Sequence, residues 1–215
     1  DFVKKTLIHY GIPSSIIKVI YCGSDEKFLS YNTKFSRERK PKNHLIYAGI
    51  WEERKGVKFL AKALVDLKKE ISLSVAGATK EDIYKITPNL RDSNVSLDIL
   101  GYVSRRELSQ LFSSHKIFIF PSLSEGSARV VFEAMANGCF ILTTENSGSI
   151  VKHNEHGLIF KEGSSQSIKE SIREIISKTD QDIEEIGAKN FSIVRNNFTQ
   201  KAYGEKVFDY YNSLI

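Results

Sequence analysis

Two short runs of this chain, IFIF (117–120) and FILT (140–143), carry no charged residue and no polar alternation. A strand with one wet face alternates apolar and polar side chains, so such runs mark strands covered on both faces. From residue 44 onward, runs of this kind alternate with stretches of helical spacing. Strand–helix alternation with doubly covered strands requires a parallel sheet, because each parallel return has to cross over a face of the sheet. The expected fold class is α/β, a Rossmann-like parallel sheet with helices on both faces.

The expected strands are 44–49 (HLIYAG), 71–77 (ISLSVAG), 95–101 (VSLDILG), 116–121 (KIFIFP), 139–144 (CFILTT) and 157–160 (GLIF). Helical spacing is expected from Val57 through Leu60, Ala61, Leu64 and Leu67, and again at Leu108, Leu111 and Phe112. A further helix spans 128–136 and stops at Asn137-Gly138, and two or three helices close the chain (165–178, 181–196, 199–213). Residues 1–43 fit the alternation less well. They read as an interdomain segment, with a helix over 2–10, one strand in IIKVIYCG (16–23) and a polar linker, ahead of the domain at 44–215.

With 41% hydrophobic and 27% charged residues, the composition is that of a soluble globular domain. No apolar run approaches the roughly 18 to 20 residues needed to cross a bilayer. The first residues lack the order of a signal peptide, so a cytoplasmic location is expected. Cys22 and Cys139 lack metal-ligand spacing, Cys139 reads as a small buried hydrophobe, and the five histidines form no ligand motif, so no metal is expected. A net charge of +5 favours phosphates, anionic membrane surfaces or nucleic acid. The basic stretch KFSRERKPK (34–42) lacks the aromatic ladder that stacks single-stranded bases; it reads as a solvated linker, with attraction to anionic lipid as the other reading.

The chemistry concentrates in FPSLSEGSARVVFEAMANG (120–138). Pro121 and the Ser/Gly residues end a strand in an open loop, and a nearly all-apolar helix follows. Amides from Gly126 through Ser127, Ala128 and Arg129 to Val130 lie at that helix's start, where they and the helix dipole favour an anion. Gly126 lets the backbone approach a ligand closely. Glu125 sits at the strand's carboxyl end. Glu133, set among apolar residues, is costly to bury unless hydrogen-bonded, and its two oxygens match the vicinal hydroxyls of a ribose. By itself, without the surrounding pattern, Glu133 reads as an exposed helix residue. No G-x-S-x-G elbow is present for a serine nucleophile.

Glu125 and Glu133 match the E-x7-E motif of the GT4-like (glycosyl transferases group 1) retaining glycosyltransferases, in the frame PS-x-x-EG…EAMA-x-G. The stretch YAGIWEERKGVKFL (47–60) resembles the same family's G-R-L-x-x-x-K-G, with Gly49 at the strand end and Lys55-Gly56 opening a helix. A lysine-glycine pair before a helix is common in itself, and alone it reads as solvated. The segments 95–122, 143–160 and 16–29 resemble further family stretches, so the resemblance covers nearly the whole chain. Two positions depart from it: Ile50 replaces a frequent arginine, and Ser149 stands where a glutamate is frequent.

The resemblance implies the carboxy-terminal, donor-binding half of a two-domain GT-B enzyme, with an amino-terminal acceptor domain outside this chain. Lys55 would hold the donor diphosphate, Glu125 orient the sugar, Glu133 take the ribose, and Gly101, Tyr102 and Val103 border the base. The donor would be a UDP- or GDP-sugar and the acceptor lipid-linked or polysaccharide, at the inner face of a membrane and without nucleic acid. Phe2, Val3 and Leu7, with Phe208, Tyr211 and Leu214, would then be partly exposed. Two alternatives stay open. A UDP-sugar 2-epimerase-like enzyme would need further acid–base residues, and a non-catalytic binding module is favoured by Ile50 and Ser149.

Overall fold

The structure, a computed structural model, describes residues 2–30, 39–67 and 71–214. Six parallel strands form one sheet: β1 (His44–Ala48), β2 (Ser72–Ala76), β3 (Ser96–Gly101), β4 (Ile117–Phe120), β5 (Phe140–Thr143) and β6 (Gly157–Ile159), in the order β3-β2-β1-β4-β5-β6. β4 and β5 are buried at every position, as their unbroken apolar character requires. The order reverses between β1 and β4, and a sheet of this kind opens a crevice there, beyond the carboxyl ends of its strands.

Nine α-helices are described: α1 (Phe2–His9), α2 (Glu26–Ser30), α3 (Val57–Leu67), α4 (Lys80–Ile86), α5 (Arg105–Ser114), α6 (Arg129–Met135), α7 (Ser165–Ser177), α8 (Asp180–Asn197) and α9 (Gln200–Asn212). They cover both faces of the sheet: α3 packs with α7, whereas α5 packs with α2 and α6, and α6 with α8. Capping boxes fix three of the helix starts, at Thr79–Asp82, Ser104–Glu107 and Thr179–Asp182. As expected from Asn137-Gly138, α6 ends in a left-handed glycine, with Gly138 at φ 74°.

Three expectations are corrected. IIKVIYCG is not a strand: Ser14–Ile16 form a 3-10 turn, and only Ser24 makes an isolated bridge, to Thr199. Its apolar character is used in aromatic packing of Tyr21 against Phe132 and Phe198, not in a ladder. Second, residues 78–94, left without an element in the sequence reading, hold α4 and the 3-10 turn Pro88–Leu90. Third, the described end of the basic stretch is not solvated linker. The Arg39 guanidinium donates to the carbonyls of Gly138 (2.9 Å), Phe112 (3.2 Å) and His115, and Lys42 donates to the Lys178 carbonyl. Residues 34–38 of that stretch lie outside the described residues.

The core extends ahead of residue 44, since Phe28 and Leu29 are buried in it. No residue of α1 or α9 is buried, and Val3, Leu7, Phe208, Tyr211 and Leu214 are exposed. Among the described residues no helix is long and apolar enough to cross a membrane, and no cluster of side chains suits a metal ion.

Candidate functional site: a cleft at the reversal of the sheet

β1 runs out at Gly49, and the chain turns through a 3-10 turn, Glu53–Lys55, into α3. Gly56 closes that turn in the left-handed region (φ 70°), where a Cβ would stand 2.0 Å from the Pro121 carbonyl oxygen. Only glycine fits between these backbones. The close approach sets the Lys55 turn directly against the loop that follows β4, so residues 70 positions apart in sequence meet.

Lys55 Nζ lies 2.5 Å from Glu125 Oε1 and 5.3 Å from the centre of the Phe120 ring. Arg54 Nη1 reaches the same carboxylate oxygen at 3.1 Å and the Ser124 carbonyl at 3.0 Å, while its Nη2 pairs with Glu52 at 2.9 Å. The Ser122 hydroxyl also donates to Glu125 Oε1, at 2.7 Å. Burial pushes the Glu125 carboxyl up, but the hydrogen bonds from Lys55 and Ser122 and the charges of Lys55 and Arg54 outweigh it and hold the pKa below the usual range.

The loop carrying Glu125 is braced from behind by the turn after β5. The Glu125 amide donates to the Asn146 carbonyl (2.9 Å), Asn146 Nδ2 to the Leu123 carbonyl (3.1 Å), and Thr144 Oγ1 to the Ser122 carbonyl (2.6 Å). The Ala128 amide donates to the Ser147 carbonyl at 3.3 Å, so it is not among the amides left open for a ligand. Among the described residues, the amides of Gly126, Ser127, Arg129 and Val130 have no backbone acceptor, and no side chain caps the start of α6. The Ser127 hydroxyl sits 3.2 Å from Cys22 Sγ.

Glu133, in the middle of α6, is 6% exposed. Its Oε1 accepts from Arg105 Nη2 at 3.0 Å, a partner the sequence reading did not identify. Burial nevertheless raises its pKa above the ordinary carboxyl value, with Arg105 and Arg129 pulling it down.

These parts enclose a cleft of about 540 Å³. Of the residues expected from sequence, Gly49, Lys55, Tyr102, Val103, Glu125, Ser127, Ala128, Arg129, Val130 and Glu133 line it. Gly101 and Gly126 are not among its lining; Gly101 turns the chain at the end of β3 with φ 67°, and a Cβ on Gly126 would meet no protein atom within 4 Å. Glu52, Gly77, Leu108 and Phe120 also line the cleft and went unrecognised as site residues; Arg54, beside Lys55 in sequence and a candidate to stand in for the arginine that Ile50 replaces, lines it as well. The departure at Ile50 is a rim residue, 61% exposed. Ser149 instead bonds locally to Ser147 Oγ at 2.9 Å, outside this cleft.

A second polar cluster joins His44, Ser74, His115, Lys40 and Asp98, with Ser74 Oγ 3.0 Å from His44 Nε2 and 3.1 Å from His115 Nε2. Ser74 is fully buried and no member lines the cleft, so the cluster bonds elements together and offers no reacting group.

The chain is 26% identical over 235 residues to a capsular polysaccharide biosynthesis glycosyltransferase, CapM, of Staphylococcus aureus, covering 99% of this chain and 61% of that protein. Among solved structures, a glycosyltransferase from Rickettsia africae ESF-5 superposes with a TM-score of 0.77 at 19% identity, covering 99% of this chain and 61% of that one. HepE of Anabaena, solved in complex with UDP and glucose, gives 0.73 at 19% identity, with coverage of 98% and 60%. At such identities the superpositions establish the shared fold. The chain thus spans about three fifths of the length of these relatives. Residues 31–190 match the family described as glycosyl transferases group 1, and the chain belongs to that family.

Proposed function

We propose that this chain is the nucleotide-sugar-binding half of a retaining, GT4-like glycosyltransferase of the GT-B type. The observation that carries the reading is the convergence of Lys55, Glu125 and Glu133 on one cleft at the reversal of the sheet. The donor is a nucleoside diphosphate sugar, a UDP-sugar in the favoured reading and a GDP-sugar in the other. The diphosphate lies between Lys55 and the open amides at the start of α6, the ribose reaches Glu133, and the base lies against Tyr102 and Val103.

In this reading the chain supplies electrostatic stabilisation of the leaving diphosphate, the kind of preorganised contribution that dominates many enzymes. Lys55 is a compact charge held in place by Glu125, and the same carboxylate orients the sugar. The acceptor hydroxyl attacks from the side the diphosphate leaves, so configuration is retained without an enzyme nucleophile. A second domain, outside these residues, holds the acceptor, and this chain alone does not turn over. Similarity to CapM favours a polysaccharide or lipid-linked acceptor. A cytoplasmic enzyme, peripheral to the membrane, fits such an acceptor.

Calorimetric titration with UDP and GDP tests the reading. One nucleotide binds, and Glu133→Ala weakens it by about tenfold or more, the loss of one or two hydrogen bonds to a charged group. Silence toward both nucleotides, here and in the two-domain protein, would sink it. The non-catalytic module remains the second reading, favoured by Ile50: it predicts nucleotide binding without transfer in the two-domain protein.

A further inference from the structure

We propose that Arg105 is a positioning residue for the ribose-binding carboxylate, an Asp25–Arg105–Glu133 relay fixing the orientation in which Glu133 receives the donor's vicinal hydroxyls. The proposal rests on the donor-site reading above and goes beyond it by assigning a role to two residues, Arg105 and Asp25, to which the sequence reading gave none. Arg105 Nη2 lies 3.0 Å from Glu133 Oε1 and 3.7 Å from Asp25 Oδ2. Its guanidinium carbon stands 5.5 Å from the centre of the fully buried Phe28 ring. Arg105 is also the first residue of α5, and the Ser104–Glu107 capping box locks the backbone there. The ring contact and the two carboxylates restrain the inner end of this side chain, which is 46% exposed.

The far end of the relay is anchored as well. Ser24, beside Asp25, donates its amide to the Phe198 carbonyl (2.8 Å) and accepts from the Gln200 amide (2.9 Å). Glu26 accepts from the Lys201 amide at 2.6 Å. Asp25 is therefore held by the start of α9, and through Arg105 that anchorage reaches the cleft.

At Glu133 the pairing is through one oxygen. Oε2 has no hydrogen-bond partner among the described residues, so the carboxylate keeps acceptor capacity for a diol while its rotamer is pinned. A buried carboxylate without a cation nearby favours its neutral form, which is a poorer acceptor. The charged groups facing Glu133 are Arg105 on α5, Arg129 at the head of its own helix, and Asp25 ahead of α2. Of the two cations, only Arg105 is in hydrogen-bond contact with Glu133.

The test is calorimetry on the 215-residue chain with UDP and GDP and with their 2′,3′-dideoxy counterparts, from about pH 6 to pH 8.5, using wild type, Arg105→Gln, Arg105→Lys and Asp25→Asn. We expect Arg105→Gln to weaken the ribonucleotide by about tenfold near neutral pH, with affinity recovering as pH rises and Glu133 ionises. Arg105→Lys restores most of the affinity, and Asp25→Asn, which loosens Arg105 but also removes a charge that raises the Glu133 pKa, shows a smaller loss without the recovery at high pH. The dideoxy nucleotide binds wild type and Arg105→Gln alike. Equal or tighter ribonucleotide binding by Arg105→Gln, or an equal loss of both nucleotides with an unshifted pH profile, overturns the relay alone. Wild type that binds no nucleotide overturns the relay and the donor-site reading together.

Discussion

Two glycines of the site ask different things of their surroundings. Gly56 is demanded by the protein itself, because a side chain there would drive into the Pro121 carbonyl in a backbone conformation that L residues avoid. Gly126 is not, since a Cβ would meet no protein atom. Gly56→Ala should therefore cost roughly 2 to 4 kcal/mol of stability, as strain plus overpacking, seen as a lower urea midpoint at unchanged slope. Gly126→Ala should stay within about 0.5 kcal/mol of wild type; on the proposed reading, in which the open amides at the start of α6 take the diphosphate, it should also weaken nucleotide binding, although Gly126 itself does not line the cleft. Full affinity in Gly126→Ala would remove that loop from the diphosphate site. At this scale the two carboxylates and Lys55 were legible because their spacing follows the end of a strand and the start of a helix. Arg105 was not. It meets Glu133 across two helices packed side by side, 28 residues away, and no periodicity in the sequence marks such a pair.

The elements show why Glu125 keeps its place without a ligand. It sits on a loop with no regular structure, and loops of that kind open at low free energy unless tied to the body. Here the turn after β5 provides the ties, through Asn146, Ser147 and Thr144. Asn146→Ala removes the side-chain bond to Leu123 but leaves the backbone bond to the Glu125 amide. Amide exchange at Glu125 and Ala128 should quicken by about fivefold to tenfold, the equivalent of roughly one hydrogen bond, while amides in β4 and β5 keep their protection. Unchanged exchange at both loop amides would mean that the loop is held from the cleft side by Lys55 and Arg54. The strands and long helices of the fold were legible from periodicity alone. IIKVIYCG was misread because an apolar, β-branched run is ambiguous when a ladder or aromatic side chains can use it equally. α4 carried a readable signal in Thr79-x-x-Asp82 followed by Ile83, a capping box ahead of an apolar position.

Taken whole, the molecule separates its polar machinery into two places. One is the open cleft, where the charges stay available to a ligand. The other is the cluster around Ser74, buried at Ser74 and His115 and open to solvent at Lys40 and Asp98, which bonds strands and the approach to β4 to one another and makes the fold sensitive to acid. His115 is fully buried, with Nδ1 2.7 Å from the Leu111 carbonyl and Nε2 3.1 Å from Ser74 Oγ. Burial pushes its pKa down to about 4 from an ordinary 6.5; the bond to the Leu111 carbonyl opposes this, and the charges of Lys40, His44 and Arg39 add to it. Burial likewise lowers the pKa values of His44 and His156. An unfolded chain takes up these protons as pH falls below about 6.5, and the native chain takes them up only at lower pH, about 4 for His115. The stabilisation is therefore complete above the unfolded value and is lost as pH falls from about 6.5 toward 4. The exposed capping carboxylates Asp82, Glu107 and Asp182, whose pKa values are held low by their Thr or Ser partners, protonate only at the acid end of that range and below. Urea unfolding between about pH 7 and pH 4.5 reports on the histidines together with Glu133, whose raised pKa acts in the opposite direction, so the His115 contribution is read from the difference between wild type and variant. For His115 alone the full effect approaches about 3 kcal/mol. His115→Gln should be less stable than wild type at pH 7, having disturbed the Ser74 bonds, but should show a visibly shallower decline toward pH 4.5. A decline as steep as wild type's would mean that His115 already accepts a proton in the native state, and that the Ser74 cluster rearranges to admit the charge.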